Sequence, residues 1–161
     1  MNIHASTITQ TLAEHYDLSP NLALAEEMKD IYARMARVVS PADWAMHAPY
    51  VKAINDLKAK RNAVILGHNY MTPDIYNGVS DFVGDSLQLA IKAAEVEADV
   101  IVQAGVHFMA ETSKILSPDK IVLMPDMQAG CSLAESITAE GIGEMRAKYP
   151  GAPVVSYVNT T

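Results

Sequence analysis

Apolar positions follow two rhythms along the chain. Between residues 20 and 38, Leu22, Leu24, Met28, Ile31, Met35 and Val38 recur at roughly helical spacing. Ser19-Pro20 ahead of them, with Glu26 and Glu27 early, supplies a helix start, so one amphipathic helix is expected over 20–38. Ser40-Pro41 repeats the start signal, and Val51, Ile54 and Leu57 mark one side of a second helix over about 50–60. From residue 62 short continuous apolar runs take over: Ala63–Leu66, Val100–Gln103, Ile121–Met124 and Val154–Val158. Helical stretches at about 86–97, 107–116 and 138–148 alternate with them. Ser117-Pro118, Tyr149-Pro150-Gly151 and the Gly141/Gly143 pair punctuate this part of the chain. Runs this short and this uniformly apolar are strands buried on both faces, and their alternation with helices predicts a parallel sheet with right-handed crossovers.

The expected fold class is therefore α/β: a three-layer αβα domain on a parallel sheet, preceded by a helical N-terminal extension. The expected division is a helical extension over 1–60, the αβα domain over 61–150, and the first strand of a further domain over 151–161. Residues 1–18 carry little pattern and read as frayed or only partly ordered. At the other end, Asn159-Thr160-Thr161 begins a strand-to-helix loop whose crossover does not follow, so the chain reads as cut.

Ligands of open parallel sheets gather at the carboxyl ends of the strands. Each expected strand here ends in polar, titratable or small residues: Gly67-His68-Asn69-Tyr70, Gly105-Val106-His107, Pro125-Asp126 with Gly130-Cys131-Ser132, and Tyr157 with Asn159 and Thr160. His68 suits a proton carrier or a donor to an anion; the plain alternative is a satisfied histidine at a strand end. Tyr70 shares its loop, with a buried aromatic as the plain alternative. Gly84-Asp85-Ser86 precedes a helix, where Asp85 or Ser86 could cap and the first free amides could hold a carboxylate or phosphate; capping alone is the other reading. Gly84-Asp85-Ser86-Leu87 also matches the short esterase motif of that spelling. Its partner Asp-x-x-His block is missing, because Ala104 stands three residues before His107. His107 and Glu111 are four apart and could pair, but no second histidine makes them a metal motif, and a strand-end histidine is favoured. Met109 and the other methionines read as core filler. Cys131, ahead of a short helix, could be an activated thiolate, a metal ligand or an inert buried residue.

Composition narrows the partners. The net charge of −7 over 161 residues, with no basic stripe, gives no footprint for nucleic acid. No apolar run approaches the length of a membrane span, and no signal pattern opens the chain. One cysteine makes no internal disulfide, which fits a reducing cytoplasm, and it cannot bind a metal cluster alone.

From about residue 62 onward the chain resembles the quinolinate synthase family. The resemblance is carried by Gly67-His68-Asn69-Tyr70, Asp81-Phe82-Val83-Gly84-Asp85-Ser86-Leu87, Gly105-Val106-His107-Phe108-Met109-Ala110-Glu111, Met124-Pro125-Asp126, Ala129-Gly130-Cys131-Ser132-Leu133 and Val155-Ser156-Tyr157-Val158-Asn159-Thr160, in that order. It implies three pseudo-symmetric αβα domains, of which this would be the first. It implies an enzyme of NAD biosynthesis that condenses iminoaspartate with dihydroxyacetone phosphate, losing phosphate and water, to give quinolinate. Each domain would give one cysteine to a 4Fe–4S cluster whose open iron acts as a Lewis acid. By motif, Cys131 is then a cluster ligand. His68 and Ser86 contact substrate carboxylate or phosphate, Tyr70 is a mobile catalytic tyrosine acting with His68, and Tyr157 and Asn159 are substrate contacts. L-aspartate oxidase would supply the iminoaspartate, in the cytoplasm, with neither nucleic acid nor membrane as partner.

The chain also departs from the family. The other two cluster cysteines, a histidine–x–glutamate pair and later serine and threonine contacts are not in it. The 161-residue chain alone is therefore expected to be inactive. The competing reading is a stand-alone, non-catalytic α/β module for small anions, and the esterase comes third.

Overall fold

The structure is a computed structural model of the chain, and it describes residues 14–157, 159 and 160. The described residues form two compact units: 14–61 with Thr72–Val79, and Asn62–Met71 with 80–160.

The first unit is helical. Its elements are α1 (Leu22–Glu27), α2 (Lys29–Tyr32), the long α3 (Pro41–Arg61) and one π-helical turn (Ile75–Val79). The single helix expected over 20–38 is two short ones. Its supposed apolar stripe is not buried as a stripe: Leu22 is 77% and Val38 72% exposed, while Ala25, Met35 and Val39 lie inside. A tertiary bond competes with helix continuation here. The Ala25 carbonyl accepts from the indole N–H of Trp44 at 3.0 Å, and the helix breaks at Met28, whose φ of −93° and ψ of 21° lie in the bridge region. The cap is Asn21 rather than Ser19-Pro20, its side chain accepting from the Leu24 N–H at 2.9 Å.

The second expected helix, over 50–60, begins earlier, at Pro41, and runs through Pro49. A proline removes the donor to the carbonyl four residues back, here Ala45. The Asn21 backbone N–H takes up that carbonyl at 3.0 Å. The break is thus satisfied from another segment, and the helix continues for three more turns. The π-helical turn is tied to α3 by Asn55 Nδ2, which donates to the Gly78 carbonyl at 2.9 Å, and by Lys58 Nζ, which donates to that of Val79 at 2.6 Å.

The second unit is the α/β domain. Its strands are β1 (Ala63–His68), β2 (Phe82–Gly84), β3 (Val100–Ala104) and β4 (Ile121–Leu123). All pairs are parallel, in the order β2-β1-β3-β4. Helices α4 (Ser86–Glu95) and α5 (His107–Leu116) pack against the sheet and against each other; α6 (Ala139–Lys148) follows. Three of the four expected strands form. Central β1 is buried continuously from Ile65 to His68, as a strand covered on both faces should be. Edge strand β4 alternates, with Val122 inward and Ile121 and Leu123 outward. Leu66, Leu89, Ala93 and Ile101 form the core between sheet and helices. Strand β2 was not anticipated: three residues at an edge, inside a polar motif, give no apolar run. Of the strand expected over Val154–Val158, Val154–Tyr157 pair with nothing in a sheet and Val155 is 93% exposed; Val158 lies outside the described residues.

Gly67 sits where β1 approaches the start of β2. A Cβ there would lie 2.2 Å from Ser80 Oγ and 3.0 Å from Ser80 Cβ. Gly67→Ala is expected to cost about 1–3 kcal/mol through overpacking, read as a lower urea midpoint at unchanged slope.

Candidate active site

The carboxyl ends of the parallel strands place the candidate residues. His68 closes β1 and is buried, 3% exposed, opposite Gly84 in the register of β2. Its Nδ1 accepts from the Tyr70 backbone N–H at 3.3 Å. In the neutral ring the proton therefore sits on Nε2, which leaves Nε2–H as the donor. The Tyr70 ring meets the imidazole edge-on, with centroids 3.7 Å apart. Tyr70 is nonetheless 75% exposed, so the alternative of a buried, tethered aromatic does not hold.

Burial pushes the His68 pKa below its ordinary value of 6.5, and the nearby Asp85 carboxylate partly opposes that. The imidazole is neutral at pH 7. A depressed histidine contributes stability that is complete above about pH 6.5 and is lost as pH falls through its lower folded value, because only the unfolded chain then binds the proton. His68→Gln is expected to flatten that acid-side loss, measured as unfolding free energy against pH from 7 down to 5.

At the exit of β2, Asp85 is the cap of α4. Its Oδ1 accepts from the Gln88 N–H at 2.9 Å, and Gln88 Oε1 accepts from the Asp85 N–H at 3.0 Å. Ser86 is the first residue of α4, not its cap. At the exit of β3, His107 opens α5. Its N–H donates to the Ala129 carbonyl at 2.8 Å, and its Nδ1 lies 3.6 Å from Glu111 Oε1. The two side chains thus lie on one face of α5, as their spacing suggests.

Cys131 follows β4 on a loop pinned by two bonds: that from His107, and one from the Glu135 N–H to the Cys131 carbonyl at 3.0 Å. It packs partly buried against Phe108, Met109 and Ala134. A cavity of about 700 Å³ opens beside it. Tyr70, Cys131, Tyr157 and Asn159 all line this cavity. His68 and Ser86 do not line it; His68 reaches it through the Tyr70 ring. The cavity floor is Val106, Phe108, Met109 and Ala134, and its rim carries the Ser132, Ser136 and Ser156 hydroxyls. Met109, expected as core filler, is both core and wall. Ser136 and Ile137 had no signal in the sequence, since the 132–137 loop has no period to read. Thr160, expected at the end of the last strand, lines the cavity, and its Oγ1 donates to the Ala134 carbonyl at 3.3 Å.

Among the described residues no group of three or more His, Cys, Asp and Glu side chains is placed to hold a metal ion. No helix among them is long and apolar enough to cross a membrane.

The domain is a parallel α/β domain that carries a histidine, a tyrosine and a thiol at its strand exits, the tyrosine and the thiol lining a shared cavity. The family described as "NadA: Quinolinate synthetase A protein" matches residues 52–161. The chain is 56% identical over 148 residues to the quinolinate synthase of Sinorhizobium fredii (strain NBRC 101917 / NGR234), covering 92% of this chain and 41% of that protein. It is 65% identical over 131 residues to that of Agrobacterium fabrum (81% and 38%) and 67% over 111 residues to that of Xylella fastidiosa (69% and 33%). The chain belongs to the quinolinate synthase family. It spans between a third and about two-fifths of the length of these relatives. The likeness to the Sinorhizobium fredii enzyme, at 92% of the chain, also reaches into the N-terminal helical region, where no motif was read.

Proposed function

We propose that this chain supplies the first of three αβα domains of a quinolinate synthase, a transferase-type condensing enzyme of NAD biosynthesis in the cytoplasm. The reaction joins iminoaspartate to dihydroxyacetone phosphate with loss of phosphate and water. L-aspartate oxidase is the supplier of iminoaspartate in this reading. The observation that carries the proposal is the cavity that collects Tyr70, Cys131, Tyr157 and Asn159 from three separate loops.

The donor set fits a 4Fe–4S cluster in part. Cys131 provides one thiolate, partly exposed on the cavity wall, and a cluster held by three cysteines needs two more from outside the described residues. Bound there, the cluster would supply a Lewis-acidic iron. The chain's own residues do the rest. Neutral His68 offers Nε2–H to a carboxylate or phosphate oxygen. Ser86, in the first turn of α4, offers a hydroxyl beside backbone amides. Tyr157 and Asn159 offer a phenol and an amide across the cavity. In this reading Tyr70, exposed and in contact with His68, moves a proton between that ring and a substrate as it folds over the opening.

The test is a chimera in which the matching segment of the Agrobacterium fabrum enzyme is replaced by this chain. It is expected to make quinolinate from iminoaspartate and dihydroxyacetone phosphate, whereas the 161-residue chain alone makes none. A folded chimera without quinolinate synthesis would refute the proposal.

A further inference from the structure

We propose that Asp85 is a positioning residue of this site: its one carboxylate fixes the first turn of α4, which carries Ser86, and puts a negative charge at the strand exit beside the one that His68 closes. The proposal rests on the reading of His68 and Ser86 as anion contacts.

Backbone geometry brings the three residues together. Strands β1 and β2 run parallel with His68 opposite Gly84. The Asn69 N–H donates to the Gly84 carbonyl at 3.1 Å, which clamps the two strand ends. Asp85 is the next residue, so its carboxylate stands at the exit of the strand beside the one that His68 closes. There it is held by the reciprocal bonds with Gln88, at 2.9 and 3.0 Å. Gly84 lets that box close against the strand: a Cβ at Gly84 would lie 2.7 Å from Gln88 Oε1. Serine or asparagine would cap the helix equally well. The aspartate adds only charge, at the strand exit next to the buried His68.

A carboxylate beside an anion site carries a cost, because it repels the ligand. The cost is reduced if the same charge holds the neutral His68 ring nearer to its protonated form, which an arriving carboxylate or phosphate then stabilises further. Burial works against protonation and Asp85 works for it. Of the described titratable groups, Tyr70 meets the ring by contact and Asp85 by charge.

The experiment follows the His68 ring signals by NMR as the 161-residue chain is titrated, the signals being assigned by their loss in His68→Gln. Asp85→Asn and Asp85→Ser keep a capping oxygen and remove the charge. Both are expected to move the His68 midpoint to lower pH with little change in the melting temperature. Asp85→Ala removes the cap as well and is expected to lower the melting temperature by about 2–4 °C. Either neutral-cap variant, folded and titrating His68 as the unaltered chain does, would overturn the proposal. The readout needs no turnover. A chimera that makes no quinolinate would therefore sink the functional reading without touching this one, and an unmoved midpoint would do the reverse.

Discussion

Cys131→Ser, introduced into the chimera, is expected to abolish iron–sulfur assembly and to lower quinolinate formation by more than about a hundredfold. Changes in groups that merely support metal ligands already cost about 10–100-fold, and loss of a thiolate removes a ligand outright. Serine is close to cysteine in size, and Cys131 packs only partly buried on Phe108, Met109 and Ala134. The fold should therefore survive, which keeps the two effects separable. The check is the broad visible absorption of the anaerobically reconstituted protein, with iron and sulfide counted per chain and circular dichroism as the control for folding. A Cys131→Ser chimera that still assembles a full cluster would remove Cys131 from the ligand set.

The largest stability effect is expected in the helical unit. Trp44 is 2% exposed, stacks on Tyr32 with centroids 5.6 Å apart at 17°, and donates its indole N–H to the Ala25 carbonyl at 3.0 Å. Trp44→Ala leaves a cavity and loses the stacking, which together cost about 3–5 kcal/mol. It also strands a carbonyl that the break in the α1–α2 segment exposes to the indole, at about 1–3 kcal/mol more. Small domains have only about 5–15 kcal/mol in hand. The unit should lose most of its stability. Helical circular dichroism during denaturation measures this, and Trp44→Phe, which fills most of the space without the donor, should recover the larger part. Trp44 is the single tryptophan, so its fluorescence in the unaltered chain follows this unit alone. A loss below about 1 kcal/mol in Trp44→Ala would contradict the assigned packing.

How much of this was legible follows from where the physics is local. Strands β1, β3 and β4 announce themselves because apolar runs between polar turns have few other uses. Helix α5 was expected at 107–116 and lies at His107–Leu116, because a strand exit bounds it on one side and Ser117-Pro118 on the other. Strand β2 could not be read, since its three residues are strand only by virtue of β1 alongside. The expectation of one helix over 20–38 failed for a comparable reason. Its periodicity was real, but the Ala25–Trp44 bond joins residues 19 apart, and no local window contains both. Likewise Pro49 would normally end a helix; the Asn21 N–H that replaces its missing donor lies 28 positions upstream. At the candidate site, strand-end placement pointed to His68, Tyr70 and Cys131, because sheet topology sends those ends to one side; Tyr157 and Asn159 were expected from a strand that does not pair, yet line the same cavity. Strand-end placement did not reveal Ser136 and Ile137 on the cavity wall, which depend on how a loop folds back onto the sheet, whereas Asp85 was legible as a candidate cap of α4.

The central claim is that the Cys131 sulfur binds iron at this cavity. The most direct measurement is alkylation of Cys131 in the anaerobic chimera, read by peptide mass before and after cluster reconstitution. The account predicts ready alkylation without the cluster and protection once it is assembled. Full alkylation of Cys131 in a protein that carries its cluster and makes quinolinate would contradict it.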